Sequence, residues 1–169
     1  MSFSMISAHD KNFGIGYKNT IPWHIPDDFK WFKEKTTEKV VIMGMNTYFS
    51  LPKRFRPLPN RKNIVLCDDP TNLKIIENEG AMTFSSIYDV IDYCNTLTEE
   101  CFVIGGQSIY NQFIDKVDTL YLTEIDSNFQ CDTYFPTINY EQWENVYKSE
   151  VLTCEKSNLY FTFNIYKKR

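Results

Sequence analysis

The chain has only two histidines, His9 and His24, and its five cysteines, Cys67, Cys94, Cys101, Cys131 and Cys154, include no C-x-x-C pair. Without soft ligands at metal-binding spacing, no metal centre is assigned. An odd number of thiols cannot close into a complete set of internal bridges, so reduced cysteines in the cytoplasm are the expectation. Cations are not in excess: 18 Lys and Arg against 22 Asp and Glu leave a formal charge of −4, which gives no general attraction to nucleic acid. No apolar run is long enough for a bilayer, and the opening Met1 to Ala8 lacks the basic flank and long apolar stretch of a signal peptide. Repeats, low-complexity tracts and linkers are also missing, so residues 1–169 are expected to form a single domain.

What the chain does contain is enough apolar material for a sizeable core, 43% hydrophobic and 16% aromatic. Short apolar runs at Phe3 to Ala8, Val40 to Met43, Asn63 to Leu66, Cys101 to Ile104 and Leu120 to Ile125 alternate with helix-like segments. The helices are expected near Pro26 to Lys35, Thr47 to Leu51, Ile87 to Asn95 and Ser108 to Ile114. Continuous apolar runs such as Val40-Val41-Ile42-Met43 suit strands covered on both faces. Trp143 to Thr153 and Leu159 to Tyr166 read as two extended segments around the polar Cys154 to Asn158. The expected fold is α/β, a twisted and mostly parallel sheet with flanking helices and a C-terminal antiparallel hairpin.

Chemistry concentrates in a few stretches. In Ile25-Pro26-Asp27-Asp28-Phe29-Lys30-Trp31-Phe32 the proline suits the first helical position, and acids there favour the helix dipole. Helical spacing sets Asp28 with Ile25, Trp31 and Phe32, and Asp27 beside Lys30. Asp28 is then a carboxylate in an apolar stripe, with a raised pKa, although on pattern alone a plain helix-start role is the simpler account of both acids. Two strand-to-helix turns carry glycine, Gly44 before Met45-Asn46-Thr47 and Gly105-Gly106 before Gln107-Ser108-Ile109-Tyr110. Neither is a Rossmann or P-loop signature, but together they could hold one pyrophosphate. Gly14 to Trp23 reads either as a lid or as an ordinary connecting loop. Arg56 and Arg61 flank Pro57-Leu58-Pro59-Asn60 and could meet a carboxylate, or be solvated surface charges.

In order and spacing, these stretches from Met5 to Phe135 resemble dihydrofolate reductase. The carrying residues are Gly14-Ile15-Gly16 with Ile21-Pro22-Trp23, Pro26 to Phe32, Val41 to Gly44, Arg56 to Asn63, Val103 to Gly106, Tyr110, Leu122-Thr123 and Asp132 to Pro136. The resemblance implies hydride transfer from NADPH to dihydrofolate, with NADH left open, and sensitivity to antifolates. It implies that Asp28 binds the pterin's amino and ring nitrogens while N5 is protonated through water, that Thr123 supports it, and that Ile21 and Trp23 close over the nicotinamide. Ile6, Phe29, Phe32, Leu58 and Ile104 would line the folate pocket, with Arg61 on the α-carboxylate of the glutamate tail and Arg56 nearby. Ala8, Ile15, Gly16, Gly44, Met45, Asn46, Thr47, Leu66, Cys67 and Asp68 would lie along the cofactor, with Gly105, Gly106, Gln107, Ser108, Ile109 and Tyr110. It also implies a cis peptide at Gly105-Gly106, and a monomer is expected.

The chain departs from the family around the adenosine 2′-phosphate, where relatives place arginine, lysine or serine and this sequence has Met45, Asp68 and Ser108. Asp68 would repel a phosphate, while Lys39 or Lys74 could supply charge instead. Lys53-Arg54-Phe55 lengthens the approach to Arg56. Two rivals are kept: a same-fold pyrimidine reductase of riboflavin synthesis, and a receiver-like signalling module reading Asp10, Asp68 and Asp69 as a magnesium site.

Overall fold

Strands buried on both faces need unbroken apolar runs, and Val40 to Met43 and Cys101 to Val103 are fully buried at the centre of the molecule. The computed structural model describes residues 3–169. In chain order the strands are β1 (Phe3–His9), β2 (Gly14–Gly16), β3 (Val40–Gly44), β4 (Lys62–Leu66), β5 (Met82–Phe84), β6 (Cys101–Gly105), β7 (Thr119–Ile125), β8 (Thr133–Tyr134), β9 (Trp143–Lys148), β10 (Leu152–Cys154) and β11 (Leu159–Lys168). The helices are α1 (Pro26–Thr36), α2 (Met45–Ser50), α3 (Pro70–Asn78), α4 (Ile87–Cys94) and α5 (Gln107–Phe113).

The main sheet runs β10-β11-β7-β1-β6-β3-β4-β5, parallel from β7 to β5 and antiparallel beyond. One edge of β11 carries both β10, opposite Leu159 to Phe161, and β9, opposite Asn164 to Lys168. Alternation divides the core: Val40 and Ile42 pack with Val90 and Cys94 of α4 and Phe113 of α5, while Val41 and Met43 pack with Tyr48 of α2, Ile76 of α3 and, at the margin, Phe32 of α1. Because β6 lies between β1 and β3, the chain winds one way from β1 to β3 and the other way from β6 to β7. The carboxyl ends of β1, β6 and β3 therefore form a switch point, where α/β sheets open a crevice.

The α/β architecture and closing antiparallel strands match the sequence expectation. Several details differ, among them the short β2–β8 pair, which the apolar runs do not indicate. α3 and β5 were not anticipated, although Asp69-Pro70 is a helix-start signal: Asp69 accepts from Thr71 N (3.1 Å) with Pro70 at the first helical position. α2 starts at Met45 instead of Thr47. Trp143 to Thr153 is two strands, broken where Ser149 Oγ, instead of a backbone carbonyl, accepts from Phe163 N (2.9 Å).

The irregular Leu51 to Asn60 segment contains one 3-10 turn and a cis Arg56-Pro57 peptide. Asn63, buried on β4, accepts from Leu58 N (2.9 Å) and donates to Leu58 O (3.0 Å). Arg56 makes a two-pronged bond to Glu79 beyond α3, Nε and Nη2 each at 2.9 Å, and Tyr48 OH donates to the same carboxylate at 2.7 Å. These donors, Arg56 foremost, hold the Glu79 carboxyl down at about 2. A depressed carboxylate stabilises the fold above its unfolded pKa and loses that contribution as pH falls through its folded one. Glu79→Gln should therefore lower the unfolding free energy in urea at neutral pH by on the order of 1–2 kcal/mol. The gap between the proteins should close as pH falls from 4.5 towards about 2; a gap independent of pH would show that the ion pair is not its source.

Candidate active site

A cavity of about 1130 Å³ lies over the carboxyl ends of β1, β3, β4 and β6, walled by α1 and the Leu51 to Asn60 segment. Asp28 enters it from the first turn of α1, half-buried, while Asp27 is exposed, as the helical spacing predicts. Ile25 is buried beneath it, and Phe29 and Phe32 line the cavity one and two helical steps on. Trp31 turns to the core and stacks on Phe163 (4.4 Å between ring centroids, 9° between planes). Thr123, buried in β7, donates its hydroxyl to Asp28 Oδ1 at 2.6 Å. Removal from water pushes the Asp28 carboxyl up to about 6, and the Thr123 hydrogen bond restrains the rise. Such a group can hold a proton or accept from paired N–H donors near neutrality.

Arg61 lies at the same end of the cavity. Its Nε donates to Pro59 O (2.9 Å) and its Nη1 to Thr36 Oγ1 (3.0 Å), and the guanidinium sits 5.9 Å from the Phe32 ring centroid. No carboxylate among the described residues pairs with it. Burial lowers its pKa from the ordinary arginine value; because no carboxylate among the described residues pairs with it, an anion from outside would meet little competition. Arg56, grouped with it in the sequence reading, is corrected: it is bound to Glu79 and absent from the cavity wall.

The two glycine turns adjoin. A Cβ on Gly44 would meet Ile109 Cγ1 at 3.0 Å, and one on Gly106 would stand 3.5 Å from Thr47 Oγ1. Gly105, at φ +118°, packs under Tyr110, whose hydroxyl donates to Ile6 O (2.8 Å), and the Gly105-Gly106 peptide is cis. The turns thus share one wall with Met45, Asn46, Thr47, Gln107, Ser108, Ile109 and Tyr110, and Leu66 of β4 adjoins it. Ile6, Ala8, Leu58 and Ile104 line the middle. This continuous, largely apolar groove with two touching turns fits a dinucleotide lying beside a flat heterocycle.

Gly14 to Trp23 is a tethered hairpin. β2 pairs with β8, and Tyr17 and Thr20 exchange backbone bonds (2.8 and 3.0 Å) around Lys18 and Asn19, both at positive φ. Asp10 fixes its base by accepting from Asn12 N, Gly14 N and Phe129 N. Gln107 joins it to α5 by accepting from Tyr134 N (2.6 Å). Ile15, Gly16 and Trp23 line the cavity, as does Ile21, 55% exposed at its mouth.

Besides Arg56, three residues named from sequence lie outside the cavity wall. Thr123 stands behind Asp28, Cys67 packs with its Sγ 3.7 Å from Met45 Sδ, and Asp68 is exposed past the end of β4. Lys33, Leu51, Pro52 and Phe55 line it and were missed. Lys33 follows Phe29 by one helical turn and was readable in principle; the others depend on how an irregular segment folds back. The acids of the receiver reading are separated, with Asp10 holding backbone amides and Asp69 capping α3.

The family model for dihydrofolate reductase matches residues 2–168. The chain belongs to the dihydrofolate reductase family. It is 39% identical to dihydrofolate reductase of Buchnera aphidicola over 170 residues, 99% of each chain. To that of Bacillus subtilis it is 39% identical over 166 residues, 98% of this chain and 94% of the relative. Dihydrofolate reductase from Enterococcus faecalis, solved in complex with NADP(H) and RAB-propyl, superposes with a TM-score of 0.88 at 31% identity, covering 99% of this chain and 96% of that one. Neither rival family is favoured.

In this member of the dihydrofolate reductase family, a desolvated acid with a raised pKa opposes folding. The folded protein holds its proton more tightly than the unfolded chain, so stability is gained as pH falls from about 6 towards 3.8 and is reduced above that range. Asp28→Asn should thus raise the unfolding free energy near pH 7, by up to about 3 kcal/mol. The advantage should fade in acid; an unchanged urea midpoint at both ends of the range would contradict the burial of the charge.

Proposed function

We propose that Asp28 and Arg61 are the two groups that orient 7,8-dihydrofolate in this chain for reduction to 5,6,7,8-tetrahydrofolate by NADPH. The observation that carries the reading is the desolvated Asp28 carboxylate, held by Thr123 and open to the cavity on its other side. A carboxylate with free lone pairs in an apolar wall suits the adjacent amino and ring N–H donors of a pterin. Phe29, Phe32, Leu58, Ile6 and Ile104 would sandwich the ring, and Arg61 would take the α-carboxylate of the glutamate tail.

NADPH, when bound, supplies the hydride. Its holders would be Ala8, Ile15, Gly16, the Gly44 to Thr47 turn, Leu66 and the Gly105 to Tyr110 turn. Ile21 and Trp23 would exclude water from the reacting carbons, so that positioning supplies most of the rate. Asp28 raises the proton affinity of the bound pterin and keeps a proton within reach of N5 through water. The protein is read as a cytoplasmic monomer. Its free cysteines among the described residues fit a reducing compartment, and one chain supplies every group named.

Purified protein should oxidise NADPH only with dihydrofolate present, and a 2,4-diaminopteridine should block it. Asp28→Asn should reduce turnover by at least about a hundredfold, whereas Asp27→Asn should change it by less than about threefold. Equal losses, followed by nicotinamide absorbance, would overturn the role of Asp28. Arg61→Ala should weaken folate binding by roughly 2–4 kcal/mol and leave a pterin without the glutamate tail almost unaffected. Comparable losses for both ligands in calorimetry would remove Arg61 from the tail site.

A further inference from the structure

NADPH and NADH differ by a phosphate on the adenosine ribose, which carries close to two negative charges near neutral pH. A site that depends on that phosphate meets it with arginine, whereas one built for NADH places an acid against the ribose hydroxyl. The charged residues lining the cavity are Asp28, Lys33 and Arg61, all from the α1 end and the segment leading into β4. Where β3, β4 and β6 end, the wall is Gly44, Met45, Asn46, Leu66 and Ser108, none of them cationic. Ser108 Oγ accepts from Gln112 Nε2 (3.1 Å), so what it can offer a phosphate is one uncharged O–H donor.

Carboxylates flank this uncharged end. β4 runs into Cys67, Asp68 and Asp69, and Cys67 Sγ lies 3.7 Å from Met45 Sδ. Asn72 Nδ2 joins Asp69 Oδ2 (2.8 Å) to Met45 Sδ (3.2 Å), which fixes the β4–α3 turn beside Met45. Asp69 is engaged by Asn72 and by the Thr71 amide. Asp68 is exposed and has no side-chain hydrogen bond or ion pair among the described residues. β3, α2 and β4 form a βαβ unit with glycine at its first turn and Asp68 just beyond its second strand, where a dinucleotide fold places its ribose-binding acid.

Lys39 and Lys74 do not fill the gap. Lys39 precedes β3 and lines a separate small cavity with Glu38 and Lys62, at the opposite end of the sheet from Gly44. Lys74 follows Asn72 by two positions on α3, which turns it to the far side of the helix from Met45.

We infer that this chain uses NADH with an efficiency comparable to NADPH, and that Asp68 is the specificity-determining residue that disfavours the 2′-phosphate. The inference rests on the cavity being a dinucleotide site. Its test is titration of the whole protein with NADPH and with NADH, read by quenching of tryptophan fluorescence and so independent of turnover, with kcat/KM measured in parallel. Wild-type affinities should differ by less than about tenfold, with little response to salt. Asp68→Arg should tighten NADPH by about tenfold or more, a gain that salt erases, while weakening NADH; Asp68→Asn should move the ratio the same way by a smaller step. A salt-sensitive NADPH preference above about tenfold overturns the inference, as does an Asp68→Arg protein with the wild-type ratio. If neither nucleotide binds, the dinucleotide reading of the cavity fails as well, whereas tight NADPH with weak NADH removes this inference alone.

Discussion

The hydrogen bond from Thr123 to Asp28 joins two elements that are 95 residues apart in the chain, and the cavity is organised around it. Thr123 lies in a row of the sheet between Ala8 of β1 and Phe163 of β11, so its hydroxyl position is set by backbone ladders on both sides. α1 is seated on the same row from above, through Trp31 stacked on Phe163. With strand and helix both fixed, the Asp28 carboxylate is held at one oxygen and presented at the other. An acid without a cationic partner is a poor way to stabilise a fold; it is tolerated because one strong O–H donor meets it and a ligand can satisfy the rest.

Charge is distributed unevenly along the cavity. Asp28, Arg61 and Lys33 occupy one end, so a molecule with both donor nitrogens and an acidic tail meets opposite signs in a fixed order. At the other end the protein contributes backbone, hydroxyls, a thioether and nearby carboxylates. The Leu51 to Asn60 segment separates these demands. Of its three cations, Lys53 and Arg54 do not line the cavity and Arg56 is bound to Glu79, which leaves Arg61, just past the segment, as the arginine facing the cavity.

Much of this was legible from local pattern. Continuous apolar runs located β3 and β6, and helical spacing separated Asp28 from Asp27 without reference to any other segment. Arg56 and Arg61 looked equivalent in sequence because both flank the same proline-rich stretch. What divides them is Glu79, brought to Arg56 by α3, a helix whose Asp69-Pro70 start was itself overlooked. The glycines were expected at the phosphate site for ligand approach. Gly44 also has a packing reason, since a side chain there would strike Ile109, and no single-sequence pattern reveals a contact between two turns so far apart in the chain.

The strand order also governs when the protein can come into being on the ribosome. β1 is the first strand made, yet its neighbours are β6 and β7, with Phe3 beside Cys101 and Ser4 beside Thr119. Both edges of β1 stay unpaired until β6, which begins at residue 101 of 169, has emerged, and the second edge waits for β7; closing such long loops is entropically slow. Asp28 and Thr123 likewise lie on either side of that divide. A nascent chain ending after β5 therefore holds β3, β4 and β5 with apolar faces and a strand edge that β6 has yet to cover.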